Sequence, residues 1–412
     1  MKSFAKTSAH LPSILFVLVL VGYPIFAGLT AILDVETNAL SIIYRAVVLV
    51  AAILLIVASL YREKLRVGLG IILGAAFLFL YSARMLVEGL LNPGYSNMDF
   101  KDFWIFFVLV CFIPALPFVW GDNKPSELLA SRGVIFFGIV GLIVCFYPVY
   151  KSSDLPILGQ LLSGRLESER LNPIAYGHLG VSVLIVSAWS LLIKREGSVL
   201  AVGGILLGGV GLLASGSRGP LLSLAVCGVL IIMLMGVRLA WLAALFASAC
   251  VILFYLGWQA WGVDDIYLIS RVANSMFEDS ARVELFEAAY GAFIDNVVFG
   301  AAYPFDTYPH NIVFEAFMAT GVLGGVLMVG VLLVGVASSI KLLKESSLSW
   351  VALLFMQYLV FVMVSSSIYY SNIFWMLWVC VVVLAKNMPS GTRLDSLDKQ
   401  NLSRISYIPQ PR

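Results

Sequence analysis

Apolar runs of about helix-spanning length recur along most of the chain, each closed by a short polar or charged interval. They fall near residues 12–33, 40–60, 67–89, 103–120, 133–150, 174–193, 198–215, 219–236, 239–258, 311–336, 349–366 and 368–386. Lipid offers no partner to an unpaired backbone group, so a crossing segment is a helix of about 20 mostly apolar residues. The pattern therefore predicts an all-α polytopic membrane protein of about twelve transmembrane helices. The last two runs are short and separated only by a Ser/Tyr-rich turn, which makes them the weakest pair. The first follows Lys2 and Lys6 like a signal peptide, but it is long and no small-x-small cleavage site follows, so it is expected to stay as an anchor. The pattern divides the chain into residues 1–258, nine spans with short loops; 259–310, a larger outer loop; 311–386, three more spans; and 387–412, a polar tail.

Composition agrees and narrows the classes. The chain of 412 residues is 61% hydrophobic and 12% charged, with a mean hydropathy of +0.97, values no soluble domain of this length reaches. The five cysteines, Cys111, Cys145, Cys227, Cys250 and Cys380, all lie in apolar runs and read as small packing residues rather than as a disulfide framework. A net charge of +2 leaves no footprint for nucleic acid.

The placement of basic residues sets the expected orientation. Loops such as YREKLR, KREG and KLLKESS fall on one side together with both termini, and they carry most of the 26 Lys and Arg. The opposite side holds Lys101, Lys151, Arg165, Arg170, Arg218, Arg271 and Arg282, while Arg45 and Arg84 lie within spans. The positive-inside rule then predicts both termini in the cytoplasm and residues 259–310 outside.

Two outer segments exceed a simple turn. Residues 151–173 carry mixed charge, Arg165, Glu167, Glu169 and Arg170, which reads as a solvated surface before Asn172-Pro173. In residues 259–309, Val283, Phe286, Tyr290 and Phe293 recur at helical spacing and predict an amphipathic helix lying on the membrane or on the bundle. Glu278, four residues before Arg282, offers that arginine an ordinary surface ion pair.

Charges inside a bilayer are expensive and mark sites by default. Arg45 and Arg84 each lie about one turn from the outer end of a span, and Glu88, four residues after Arg84, is its expected partner. Arg218 stands in SGSRGP, between Ser217 and Gly219-Pro220, with the proline suited to the first turn of a helix. It reads either as a snorkelling anchor or as a phosphate ligand, since a helix N-terminus flanked by Ser215 and Ser217 suits an anion and a guanidinium matches phosphate oxygens. Of the three histidines, His10 and His178 read as satisfied interfacial residues. His310 opens a span in Pro309-His310-Asn311, with Glu315 one turn beyond, where an imidazole can take a proton from an attacking hydroxyl. No carboxylate and histidine cluster has metal-ligand spacing; the adjacent Asp264-Asp265 are a weak hint, and no metal is expected. Gly204 and Gly208 form a G-x-x-x-G pattern that reads as close helix packing, and Gly321, Gly324 and Gly325 admit the same explanation.

Taken in order, SGSRGPLLSL, ARVELFEAAYGAFIDNVVFG and HNIVFEAFMATGVLGGVLM resemble the bacterial O-antigen ligase and O-antigen polymerase family over about residues 170–330, with Asn172-Pro173-Ile174 fitting its Asn-Pro helix start. One departure is Val297 to Ala302, where the family has a Pro-Leu-x-Gly-x-Gly pattern, so the loop geometry there is expected to differ. The resemblance implies a GT-C-like glycosyltransferase architecture in the inner membrane and transfer of a glycan from undecaprenyl diphosphate to an acceptor hydroxyl on the periplasmic face. It implies a metal-independent, cofactor-free, inverting reaction. In it Arg218 and Arg282 neutralise the leaving diphosphate, His310 serves the acceptor hydroxyl, and Arg45, Arg84, Asn311, Glu315 and Ser217 bind substrate or support the site.

The implied partners are the lipid-linked glycan donor, membrane lipids and an acceptor. The acceptor is lipid A core for a ligase, the first expectation, or a lipid-linked repeat for an O-antigen or exopolysaccharide polymerase. A lipid-linked sugar flippase is the reading from another class. It predicts inverted repeats and a charged path across the membrane, and the chain shows neither.

Overall fold

The computed structural model describes residues 10–35, 37–62, 67–91, 100–151, 172–235, 280–301, 309–345 and 347–388. Among them the secondary structure is helical throughout. In chain order the helices are α1 Leu11–Leu33, α2 Thr37–Arg62, α3 Leu69–Leu91, α4 Phe100–Val119, α5 Glu127–Lys151 and α6 Pro173–Ile193. They continue as α7 Val199–Ala214, α8 Arg218–Leu234, α9 Ser280–Asp295, α10 Ile312–Leu343, α11 Ser349–Val364 and α12 Asn372–Asn387. Among the described residues seven, α1 to α6 and α10, are long and apolar enough to cross a membrane, and α7, α8, α11 and α12 are shorter apolar helices. These match eleven of the twelve predicted spans; the predicted span 239–258 lies outside the described residues.

Local chemistry starts the helices where the sequence punctuates them. Asn172 accepts the backbone N–H of Ile174 at 2.9 Å and Pro173 takes the first position of α6, a place where its missing N–H costs nothing. Ser198 accepts from Ala201 N at 3.1 Å to open α7. Asn311 accepts from both Val313 N and Phe314 N, at 2.9 and 3.2 Å, to open α10.

The predicted close packing at Gly204 and Gly208 is present. A Cβ on Gly208 would lie 2.7 Å from Gly180 O, and one on Gly204 would strike the Ser187 hydroxyl, so α6 and α7 touch backbone to backbone.

The weakest sequence pair turns out to be the centre of the bundle. From Phe374 to Ala385, α12 is buried throughout, and most of α11 is buried with it. A helix apolar on every side is a helix surrounded by others, and α6, α8, α10 and α12 enclose α11. The connection is a stretch of seven residues, Ser365 to Ser371, holding a single 3-10 turn at Ile368–Tyr370, so α12 begins at Asn372 rather than at residue 368.

Gly321 plays a different part from the packing role its neighbours suggested. Its φ of 67° breaks α10 after its N-terminal third, and the segment after α9 fills the break. Val322 N donates to Val297 O at 2.7 Å and Ala301 N donates to Met318 O at 2.8 Å. A Cβ on Gly321 would lie 2.3 Å from Val298 O, so both the backbone sign and the space require glycine.

The amphipathic helix predicted from residues 283–293 exists as α9, but its buried face is narrower. Phe286 and Phe293 pack on Phe314 and Phe317 of α10, with ring centroids 5.0 and 5.4 Å apart, and Ala289 is buried between them. Val283 and Tyr290 face outward, because small Ala289 brings that side of α9 closest to α10.

Candidate functional site

Five helix ends meet at one end of the bundle. They are the C-terminal ends of α3 and α11 and the N-terminal ends of α6, α8 and α10, and the contacts between them place the predicted residues.

The turn Ser215–Ser217 is built by its own hydroxyls. Ser215 Oγ donates to Leu212 O at 2.7 Å and accepts from Ser217 N at 3.3 Å, while Ser217 Oγ donates to Ser215 O at 3.1 Å. Ser217, predicted to bind substrate, is therefore occupied in shaping the turn. Gly216 takes φ 55°, and the chain enters α8 with Arg218 as its first, half-buried residue and Pro220 in its first turn. A Cβ on Gly219 would lie 3.4 Å from Val364 and 3.5 Å from the Ser365 hydroxyl, and one on Gly177 would meet both Ser215 and Pro220. The arginine turn thus seats on the end of α11 and the start of α6.

His310 approaches the same place from another direction. It adopts φ 54°, a left-handed conformation that costs a non-glycine residue about 1 kcal/mol, between buried Pro309 and Asn311. Besides capping α10, Asn311 Nδ2 donates to Met363 O at 2.9 Å. The Arg218 turn and the His310 turn therefore dock on adjacent residues, Met363 to Ser365.

Glu315, one turn into α10, is fully buried. Its Oε1 accepts from the Tyr81 hydroxyl at 3.1 Å and the Ser367 hydroxyl at 2.8 Å, and its Oε2 accepts from Ile368 N at 3.0 Å. This satisfies the carboxylate and pins the broken α11–α12 connection to α10 and α3. Its predicted place as a substrate ligand is taken by that bracing role, because its hydrogen-bonding directions go to protein donors.

The arginines within spans part company. Arg84 pairs with Glu88 at 2.7 Å, as its spacing predicts, and two further donors, on Nε and Nη2, reach Phe299 O at 3.2 Å and Gly300 O at 3.3 Å. It therefore ties α3 to the segment that follows α9. Three of its five N–H donors are thus engaged by protein, a positioning role beside the substrate contact expected from sequence. The segment it holds, Val297–Ala301, is the described part of the departure noted from sequence, and in it Gly300 takes φ 76° against Ala319 and Thr320. Arg45 lies over the Phe106 ring, 4.6 Å from its centroid, apart from this segment and beside a cavity described below.

Arg282 falls in the first turn of α9, the helix that packs on the N-terminal third of α10; its side chain, and Glu278, Asp264 and Asp265, lie outside the described residues. The described cysteines, Cys111, Cys145, Cys227 and Cys380, are buried thiols, in keeping with packing.

Two residues escaped sequence reasoning. Gln357, fully buried in α11, donates to His178 O at 2.8 Å and exchanges a bond with Ser182. His178 itself, expected to be satisfied, is 2% exposed, and neither ring nitrogen has a hydrogen-bond partner among the described residues. The signal available was one amide inside the run SWVALLFMQYLVFVMV, where a polar side chain needs a partner.

Against known proteins, residues 203–329 match the family model described as O-antigen ligase. The matched segment runs from α7 through the Gly321 break and contains Ser217, Arg218, Arg282, His310, Asn311 and Glu315. No curated protein matches the chain. Among the described residues seven helices are long and apolar enough to cross a membrane, and within this multi-pass bundle residues 203–329 are similar to the O-antigen ligase family.

Proposed function

We propose that the chain transfers a glycan from undecaprenyl diphosphate to an acceptor hydroxyl at the periplasmic face, as an O-antigen ligase acting on lipid A core. The observation that carries this reading is the docking of the Arg218 and His310 turns on adjacent residues at the end of α11.

The orientation follows from charge. Lys194, Arg195, Lys341, Lys344 and Lys386 lie at the far ends of α6, α10 and α12, and a cytoplasmic assignment for them puts the site in the periplasm.

The chemistry needs a stabilised leaving group and one base. Arg218, at the N-terminus of α8, and Arg282, on α9, neutralise the charge that builds on the diphosphate as the glycosidic C–O bond breaks. The acceptor oxygen attacks the anomeric carbon from the opposite face, so the configuration inverts, and His310 takes its proton. No metal is required in this scheme, since two guanidinium groups supply the positive charge. Arg84 and Glu315 act at one remove, fixing the segment after α9 and the α11–α12 connection.

The test is the glycan profile of a deletion strain complemented with the chain or its variants. Loss of all polymer on lipid A core, restored by the chain and not by Arg218→Ala, supports a ligase. Loss of long chains alone makes it a polymerase, and an unchanged profile refutes both.

A further inference from the structure

Beside the arginine turn lies a cavity of about 160 Å³ bounded by α1, α2, α4, α6, the end of α11 and the α11–α12 connection. Its wall is aromatic, including Tyr23, Phe106, Tyr358, Phe361 and Tyr370, and it carries two side chains able to bind a polar group, Arg45 from α2 and His178 from α6. His178 forms part of that wall with both ring nitrogens buried and without a hydrogen-bond partner among the described residues. A buried polar group left in that condition is costly, on the order of 1–3 kcal/mol, so it marks a place where something else supplies the bond.

The ring is also held in place. The His178 carbonyl accepts from Gln357 Nε2 at 2.8 Å and from Ser182 Oγ at 2.9 Å, and the ring packs edge-on to Phe361 at 4.5 Å. On its other side Nε2 is 3.9 Å from a Cβ position on Gly219, the residue after Arg218. The imidazole thus separates the cavity from the turn that carries the arginine.

We propose that this cavity is a subsite for one sugar ring of the lipid-linked glycan, with His178 and Arg45 binding its hydroxyls against the aromatic wall. An acyl or polyprenyl chain would fit the apolar wall but leave the imidazole unbonded. A sugar presents both what the wall and what the imidazole require, apolar ring faces and hydroxyls that donate and accept. The inference rests on the reading of the chain as a glycan transferase and adds the place where sugar is held. The sugar belongs either to the donor, reaching across from its diphosphate at Arg218, or to the acceptor.

Binding is read without transfer, by saturation-transfer NMR of methyl glycosides of common hexoses and N-acetylhexosamines added to the full chain in lipid nanodiscs. Wild type is expected to transfer saturation to ring protons of at least one glycoside. His178→Ala is expected to weaken that binding about tenfold, and His178→Gln, which keeps donor and acceptor, to weaken it less. Val110→Phe, which fills the cavity and leaves the histidine in place, should abolish it even if the alanine variant does not fold.

Equal binding in wild type and Val110→Phe, or no binding by any glycoside, overturns the subsite; so does exclusive binding of decyl phosphate, which makes the cavity a lipid-chain site. In transfer assays a raised KM of His178→Gln for donor or for acceptor supports the subsite and identifies the source, and no rise in either overturns it. Glycoside binding by a chain that transfers nothing refutes the transferase reading while the sugar site stands.

Discussion

The Tyr81 hydroxyl on α3 donates to Glu315 Oε1 on α10 at 3.1 Å, joining residues 234 positions apart at the buried centre of the site. The same carboxylate holds Ser367 and Ile368, so one side chain coordinates three elements. Each such bond contributes on the order of 1 kcal/mol net, and a buried donor left without its acceptor costs about 1–3. Glu315→Ala is expected to lower the thermal unfolding temperature in detergent by several degrees and to abolish transfer, whereas Tyr81→Phe removes a single donor and costs about 1 kcal/mol. An unchanged melting temperature for Glu315→Ala would remove its bracing role.

Arg218→Ala and Arg282→Ala are each expected to reduce transfer about a hundredfold or more, in line with loss of one preorganised stabiliser of a developing anion, while leaving the protein folded in the membrane. Arg218→Lys keeps the charge but not the bidentate fork and should fall between. Normal glycan product from both alanine variants would refute the diphosphate role.

His310→Ala should lower kcat by a factor of about 100 or more with little change in the KM for donor, since the role proposed for the imidazole is toward the acceptor. A raised donor KM with unchanged kcat would instead assign His310 to donor binding.

Gly321→Ala places a Cβ 2.3 Å from Val298 O at a φ of 67°, and the left-handed penalty alone is about 1–2 kcal/mol. The expected outcome is release of the segment Val297–Ala301 from the break, read as new protease cleavage between α9 and α10 and reduced transfer. Arg84→Ala should produce the same cleavage at lower cost to melting temperature, because it unties Phe299 and Gly300 without straining α10. Cleavage unchanged in both variants would separate this segment from the break in α10.

Transfer should survive an excess of chelator. A loss reversed by added divalent cation would bring Asp264 and Asp265 back as ligands.

Much of the helical scaffold was legible from apolar run length alone, because lipid imposes one solution on the backbone. The site was legible in part. Arg218, His310 and Asn311 stand at helix starts that serine, proline and asparagine announce, and the Arg84–Glu88 pair follows from spacing. What could not be read is which long-range partner each polar group meets. Nothing local tells that Arg84 reaches Gly300, that Glu315 meets Tyr81, or that His178 is left unbonded beside a cavity. The centrality of α11 and α12 was hidden too, since uniform hydrophobicity carries no periodicity to say whether lipid or protein surrounds a helix.

The interruption at Gly321 has a bearing on the lipid itself. A continuous helix of 32 residues, at 1.5 Å per residue, would measure about 48 Å, well beyond a hydrocarbon layer of about 30 Å. With the backbone broken at Gly321, Ile312 to Thr320, packed on α9 through Phe314 and Phe317, is a separate piece from the remainder of the helix. The stretch from Val322 to Leu343 alone would measure about 33 Å, close to that layer, so the break lets one part of α10 match the bilayer while the turn that carries Glu315 stays with the bundle.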